Sequence, residues 1–387
     1  MNINPLHIKL FGKKIRYCLN SNQQKEIKKD FVNSNVLVLG AAGSIGSSFV
    51  IKLNKYDFQS LVLLDKDENQ LAELSRQINV VFKKRKINKI NYICSDLNDF
   101  NFFNFLKKNN ITHLINFAAL KHVRSEEEFL SCKYMFETNC INSFKLGNIS
   151  NLKKLRKIFF ISTDKSVYPT SLMGLSKKIM EQKLFFLKRK HKNKFVSSVR
   201  FANVSFSNGS ILKSILQKTM DNEIFGIPDN IKRYFISHDE AANLCLKSLL
   251  NEANGSIVIP TYGSLGKLYK IKDLCKKIIL QLNKKPKFSH KIVNFRKKEQ
   301  LVIVQNKKII GQKVFEEFYE KDEIRLPFKN DILLKKIKFK KNTVTKKFDI
   351  KFKKAKNISD IEKLCSLLKT GFNLRRKKKR IFLKSII

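Results

Sequence analysis

The 387-residue chain has no tryptophan, only six prolines and thirteen glycines. So little proline and glycine excludes collagen-like and linker-dominated architectures, and any clustered glycines become informative. Seven cysteines are scattered (Cys18, Cys94, Cys132, Cys140, Cys245, Cys275, Cys365), an odd number without a Cys-x-x-Cys pair. This argues against structural zinc and against a disulfide framework, and suits reduced thiols in the cytoplasm. No metal is expected. No apolar run reaches the ~18 residues that span a bilayer. The opening "MNINPLHIKLFGKKIRY" lacks the apolar core of a secretory signal, so a soluble cytoplasmic protein is expected. Acids are scarce: 32 Asp and Glu face 79 Lys and Arg, for a formal charge of +47. Such a balance favours anionic partners. The excess is spread along the chain, however, and Lys, Asn, Ile and Phe are all abundant. Compositional bias explains it better than a nucleic-acid site, and nucleic acid is not expected as a partner. An apolar share of 43% is that of a globular protein.

Apolar runs alternate with helical patterns. "NVLVL" ends at Gly40 and reads as a strand buried on both faces, because it shows no polar alternation. "SLVLLD", "INYICSD", "THLINFAA", "KIFFIST" and "FVSSVRFANV" read as five further strands, with helices over segments such as "ENQLAELSRQINVVFKK" and "FNFFNFLKKNN". This rhythm predicts an α/β fold with a doubly wound parallel sheet. From about residue 205 the rhythm changes to short motifs, with helices near "SHDEAANLCLKSLL" and "KIKDLCKKIILQL".

Gly40, Gly43 and Gly46 stand at spacing G-x-x-G-x-x-G between a predicted strand and a predicted helix. The first permits a tight turn, the second lets the backbone approach a pyrophosphate, and the third lets helix pack on strand. The helix N-terminus around Ser44 and Ile45 then offers unpaired N–H groups to phosphates. Asp65 ends the next strand; a carboxylate there binds a ribose diol and repels a 2′-phosphate, so NAD is favoured over NADP, a preference softened by Lys66. Asp96, closing the third strand beside Leu97, is placed to bind adenine. "ISTDKSVYPTSLMGLSKK" then sets Thr163, Asp164 and Lys165 after the fifth strand and Lys177 eleven to fourteen residues on. Ser162-Thr163-Asp164 also suits helix capping.

The glycine spacing, "AALKHV" (118–123), "STDKSVYP" (162–169), "MGLSK" (173–177), "RFANV" (200–204), "SNGS" (207–210) and "RYF" (233–235) occur in that order. Together they resemble the extended short-chain dehydrogenase/reductases, and within them the capsular-polysaccharide-biosynthesis branch of nucleotide-sugar 4,6-dehydratases, whose best-known members act on UDP-N-acetylglucosamine. The resemblance runs from about residue 35 to 250. It implies an NAD-binding Rossmann domain with the catalytic residues over 34–205, preceded by a basic lead-in (1–33) and followed by a smaller nucleotide-sugar region interleaved with the sheet end (206–330) and a basic extension (331–387). Many family members carry membrane helices before the catalytic part; this chain resembles the short form.

The implied reaction oxidises sugar C4, eliminates water across C5 and C6 and returns hydride to C6. Asp164 would be the acid at the C6 hydroxyl, Lys165 the base at C5 if burial near other cations lowers its pKa, and Thr163 the ligand of the C4 oxygen. Lys177 would hold the nicotinamide ribose. Ala118 and Ala119 would border the cofactor. Lys121, Asn203, Ser210 and Arg233 would bind the UDP-sugar, Arg233 through the diphosphate; His122 would pack near the site. Where related enzymes carry a catalytic tyrosine the chain has Met173, so the C4 proton must leave through Asp164 or a water held by Thr163. The family's R-P-G-E-K element has its nearest match in "RKKEQL", giving Arg296 a substrate role, and a rival match in "GQKVFEE" from Gly311. A homo-oligomer is expected, and contact of the basic tail with anionic membrane is weighed against a solvated helix. The alternatives are a UDP-sugar 4-epimerase of the same fold, or a non-catalytic basic binding protein on this scaffold.

Overall fold

A computed structural model describes residues 3–12, 15–82, 89–99, 101–122, 126–141, 152–305, 313, 315–329, 331–332, 334–338 and 346–366. The six apolar runs form six parallel strands: β1 (Asn35–Leu39), β2 (Ser60–Asp65), β3 (Ile90–Cys94), β4 (His113–Asn116), β5 (Lys157–Ile161) and β6 (Phe195–Val199). β1, β4, β5 and β6 are almost wholly buried, as strands covered by helices on both faces must be.

Three more strands complete the sheet: β7 (Ser256–Pro260), parallel to β6, then β8 (Arg325–Pro327) and β9 (Leu334–Lys338), both antiparallel. The order is β8-β9-β7-β6-β5-β4-β1-β2-β3. It reverses between β1 and β4, where open α/β sheets place ligands beyond the strand C-termini. The doubly wound sheet expected from the sequence is therefore present. β7 and β9 bring parts of the expected sugar region and basic extension back into it. β9 hides in a lysine run because only Leu334 and Ile337 turn to the core.

The stretch expected as a basic lead-in supplies two helices, α1 (Ile3–Phe11) and α2 (Ser21–Phe31). Ile27 and Phe31 of α2, with Tyr17 and Leu19, join the main core, while Leu6 and Leu10 of α1 join a second core. The layers on the main sheet include α3 (Ser44–Lys52), α4 (Glu68–Val81), α5 (Phe102–Lys108), α6 (Phe129–Phe136) and α7 (Leu172–Lys190). The second core gathers α1, α8 (Ile211–Met220) and α10 (Ile271–Gln281) with a three-stranded parallel sheet of Phe225–Pro228, Glu299–Gln305 and Lys285–Ser289. Between α8 and α10 in the chain, α9 (His238–Lys247) returns to the main core. Two C-terminal helices, α11 (Lys346–Lys353) and α12 (Ile358–Ser366), close on the α6–α7 face, where Phe352 stacks on Phe136 at 5.3 Å. The terminal "RRKKKR" lies outside the described residues.

Candidate active site

The glycine turn joins β1 to α3. Gly40 has φ +65°, and a Cβ there would lie 2.5 Å from the Ala118 nitrogen; a Cβ on Gly46 would lie 2.2 Å from the Gly40 oxygen. Both positions therefore demand glycine. Gly43 opens α3 and meets only the Gly40 oxygen, at 3.4 Å, so a bare backbone edge is left at the helix start. Asp65, at the end of β2, accepts from Ala42 N (2.9 Å) and Asp67 N (3.2 Å), locking the turn from the next strand. Asp96 accepts from the Tyr134 hydroxyl and from Asn98 N (2.7 Å), and Lys66 donates to the same tyrosine at 3.2 Å. Leu97 is buried, and Ile45 and Ala118 pack against the main core beside partly buried Ala119.

β5 ends in the turn that carries the chemistry. Thr163 caps a short 3-10 turn over Asp164–Ser166 and donates its hydroxyl to Asp164 Oδ1 at 2.7 Å. Lys165 Nζ reaches the same oxygen at 3.2 Å. Asp164 is buried, whereas the Lys165 side chain is 37% exposed. The burial that the sequence reading asked of Lys165 is thus not met; a carboxylate partner holds its amine instead. Gly174 makes the turn possible, since a Cβ there would lie 2.3 Å from the Lys165 oxygen. Helix α7 therefore seats directly on the turn, capped by Ser171.

Lys177, on the first turns of α7, is buried and donates to the Ile161 carbonyl at 3.0 Å; loss of water pushes its pKa down to about 8. Met173 is buried, and its N–H donates to Glu126 at 2.7 Å. The Tyr168 hydroxyl accepts from Lys321 N at 2.5 Å and so belongs to another part of the fold.

Lys121 sits at the lip of the crevice and donates to Ser207 at 3.3 Å. Although the residue is exposed, protein atoms crowd its amine; that desolvation, then the charges of Lys165 and Lys213, push it down to about 8. The "SNGS" loop folds over the glycine turn: Asn208 N donates to Ser44 Oγ at 2.8 Å and its amide to Gln70 at 2.7 Å. The His122 ring lies against Gly209, where a Cβ would approach within 2.3 Å. Ser210 caps α8.

The remaining wall comes from a segment that sequence reasoning placed second. Lys313 donates to the Val167 carbonyl, and Arg233 donates to the Lys313 carbonyl at 2.8 Å. Glu316, 4% exposed, accepts from the Asn203 amide and from Tyr234 N (2.7 Å). The rival match "GQKVFEE" therefore borders the crevice. Arg296, the favoured match, instead lies in the exposed turn before Glu299, bonded to that residue's carboxylate at 2.9 Å. Glu316 is the site residue that the sequence reading missed; its signal was the same rival motif.

A buried ionic network holds this segment down. Arg200 binds Glu181 (2.7 Å) and Glu323 (2.8 Å) and donates to Phe318 O (3.0 Å), while Lys178 pairs with Glu320 at 2.8 Å. Ser162 and Ser166 donate to Glu181 at 2.6 and 2.8 Å, linking the network to the Asp164 turn.

Residues 36–332 match the family model described as polysaccharide biosynthesis protein. The chain belongs to that family. Within it, the chain is 28% identical over 303 residues to the capsular polysaccharide biosynthesis protein CapD of Staphylococcus aureus, covering 77% of this chain and 47% of that protein. It thus spans about half of that relative's length. Among solved structures, Pen from Bacillus thuringiensis superposes with a TM-score of 0.66 at 20% identity, covering 80% of this chain and 91% of that one. A Thermotoga maritima UDP-glucose 4-epimerase with UDP-glucose gives 0.53 at 18% identity, covering 70% and 89%. These likenesses agree with the extended short-chain dehydrogenase/reductase fold. They place this polysaccharide biosynthesis protein among Rossmann-type chains.

Proposed function

We propose that the chain is an NAD-dependent nucleotide-sugar 4,6-dehydratase of surface polysaccharide synthesis, acting on UDP-N-acetylglucosamine. One observation carries the reading: Asp164, buried at the end of β5, is gripped by Thr163 and Lys165, so an acid and an amine stand together where the sheet opens. An epimerase needs no acid at C6.

The glycine turn fits a dinucleotide. Gly43 leaves a bare helix start for a pyrophosphate, Asp65 is fixed by Ala42 to face a ribose, and Lys177 is buried below the position of a nicotinamide ribose. Asp65 suits NAD. NAD, when bound, takes hydride from the sugar and gives it back. Thr163 orients the C4 oxygen. Asp164 receives the C4 hydroxyl proton, work that Met173 is chemically unable to do, and delivers it to the departing C6 hydroxyl. Lys165 removes the C5 proton. Arg233, Asn203 and Lys121 line the nucleotide side.

Incubation with UDP-N-acetylglucosamine followed by mass spectrometry tests this. The expected product has lost the mass of one water. A product of unchanged mass with a changed sugar NMR pattern would mean epimerisation.

A further inference from the structure

Glu316 has an unusual set of neighbours for a buried carboxylate. Its two oxygens are held by neutral donors, the Asn203 amide and Tyr234 N. The nearest printed cation, Arg233, stands 3.9 Å away, and its own guanidinium donates to the Lys232 and Lys313 carbonyls. The β5 turn presents the negative Asp164 together with Lys165. Lys165 is bonded to Asp164, and Lys313 of Glu316's own segment pairs with Glu317 at 3.3 Å. Two carboxyls thus meet across a pocket in which one ammonium serves the first and no cation is in direct contact with the second. Like charges so placed do not both ionise readily, and the first proton belongs to the pair.

We propose that Glu316 and Asp164 are a carboxyl pair carrying one proton between them, with Glu316 the positioning residue that keeps this proton available to Asp164. The inference rests on the dehydratase reading of the same site and answers the problem posed by Met173. When C4 is oxidised, its O–H bond breaks, the electron pair becomes the second C–O bond, and the hydride goes to the NAD⁺ of the proposed activity. The proton goes to the carboxyl pair. In the elimination, Lys165 takes the C5 proton and the C5–H electron pair forms the C5–C6 double bond. The C6–O bond breaks, and the departing oxygen takes the stored proton and leaves as water. The proton lost at C4 thereby leaves in that water. Burial first, and then the Asp164 charge, push Glu316 up to about 7 against the opposing pull of Lys165 and Arg233, so the pair exchanges its proton near neutral pH.

Infrared titration of the purified full chain, free of sugar nucleotide, tests the pair independently of turnover. A protonated-carboxyl band is expected to vanish as pH rises through about 7. It should be missing in Glu316→Gln and move to lower pH in Asp164→Asn, which keeps Glu316 but removes the charge that opposes its ionisation. In dehydration assays, Glu316→Gln should lose the ionisation near neutrality from the pH profile of kcat/KM, whereas Glu316→Asp should retain a shifted one. An unchanged band in either the Gln or the Asn variant would overturn the proposal. If wild-type protein turns over no sugar nucleotide, the dehydratase reading fails, and the infrared result still decides the pair.

Discussion

Two buried carboxylates at opposite ends of the parallel strands behave in opposite ways. At the N-terminal end, Asp30 of α2 bonds His113 of β4 at 3.1 Å and Lys157 of β5 at 2.8 Å. Burial works to raise its pKa, but the His113 bond and the Lys157 charge outweigh it and the net direction is down. At the C-terminal end Glu316 has neutral donors and a carboxylate neighbour, and burial raises it. Burial is common to both, so the partners decide the sign. The first arrangement fastens a helix beneath the sheet. The second leaves a group able to trade protons.

The sharpest way to break this contrast is at Asp164. Asp164→Asn should reduce dehydration roughly 10²–10⁴-fold, the range for a lost acid–base group, while NAD remains bound, as read by its release on denaturation. Retained activity would move the chemistry elsewhere. Next in size is the network behind the site. Arg200→Met leaves Glu181 and Glu323 buried without their guanidinium and should cost about 3–5 kcal/mol in urea unfolding. A loss below 1 kcal/mol would mean that the strap from Lys313 to Glu323 is held by other contacts.

Gly46→Ala should follow, weakening cofactor retention because the added methyl would press on the Gly40 oxygen at 2.2 Å. Equilibrium dialysis with NAD measures it, and unaltered affinity would show that the turn relaxes freely. The smallest effects separate the two carboxylates by their pH slopes. The folded pKa of Asp30 is lowered, so its stabilisation is present above its unfolded value and fades as pH falls through the folded one. The folded pKa of Glu316 is raised, so its contribution is complete below its unfolded value and is lost as pH rises through about 7. Melting curves should therefore show the deficit of Asp30→Asn shrinking toward acid pH, and Glu316→Gln gaining on wild type between pH 6 and 8. Parallel slopes in the two variants would dissolve the contrast.

Much of this was legible in the chain. Runs such as "NVLVL" and "KIFFI" are buried on both faces, so each announces itself without knowledge of its neighbours. The Thr163–Lys165 turn and the glycine turn are local, with their residue types fixed by geometry within a few positions. Glu316 was harder to see. Its importance comes from Asn203, Tyr234 and Asp164, all distant in sequence, and its motif had lost the residues that usually mark it. β9 was concealed by Lys335, Lys336 and Lys338, because a strand at a sheet margin needs few apolar side chains. The polar character of residues 1–33 concealed α1 and α2, where a few residues such as Leu6, Ile27 and Phe31 secure each helix.

The strap has a consequence for biosynthesis. Asp164 and the glycine turn are translated early, but Glu316, Glu323 and the strand Leu334–Lys338 emerge long afterwards. A nascent polypeptide can therefore shape its nucleotide crevice while still tethered to the ribosome, yet it possesses no complete reaction chamber until translation has passed residue 338.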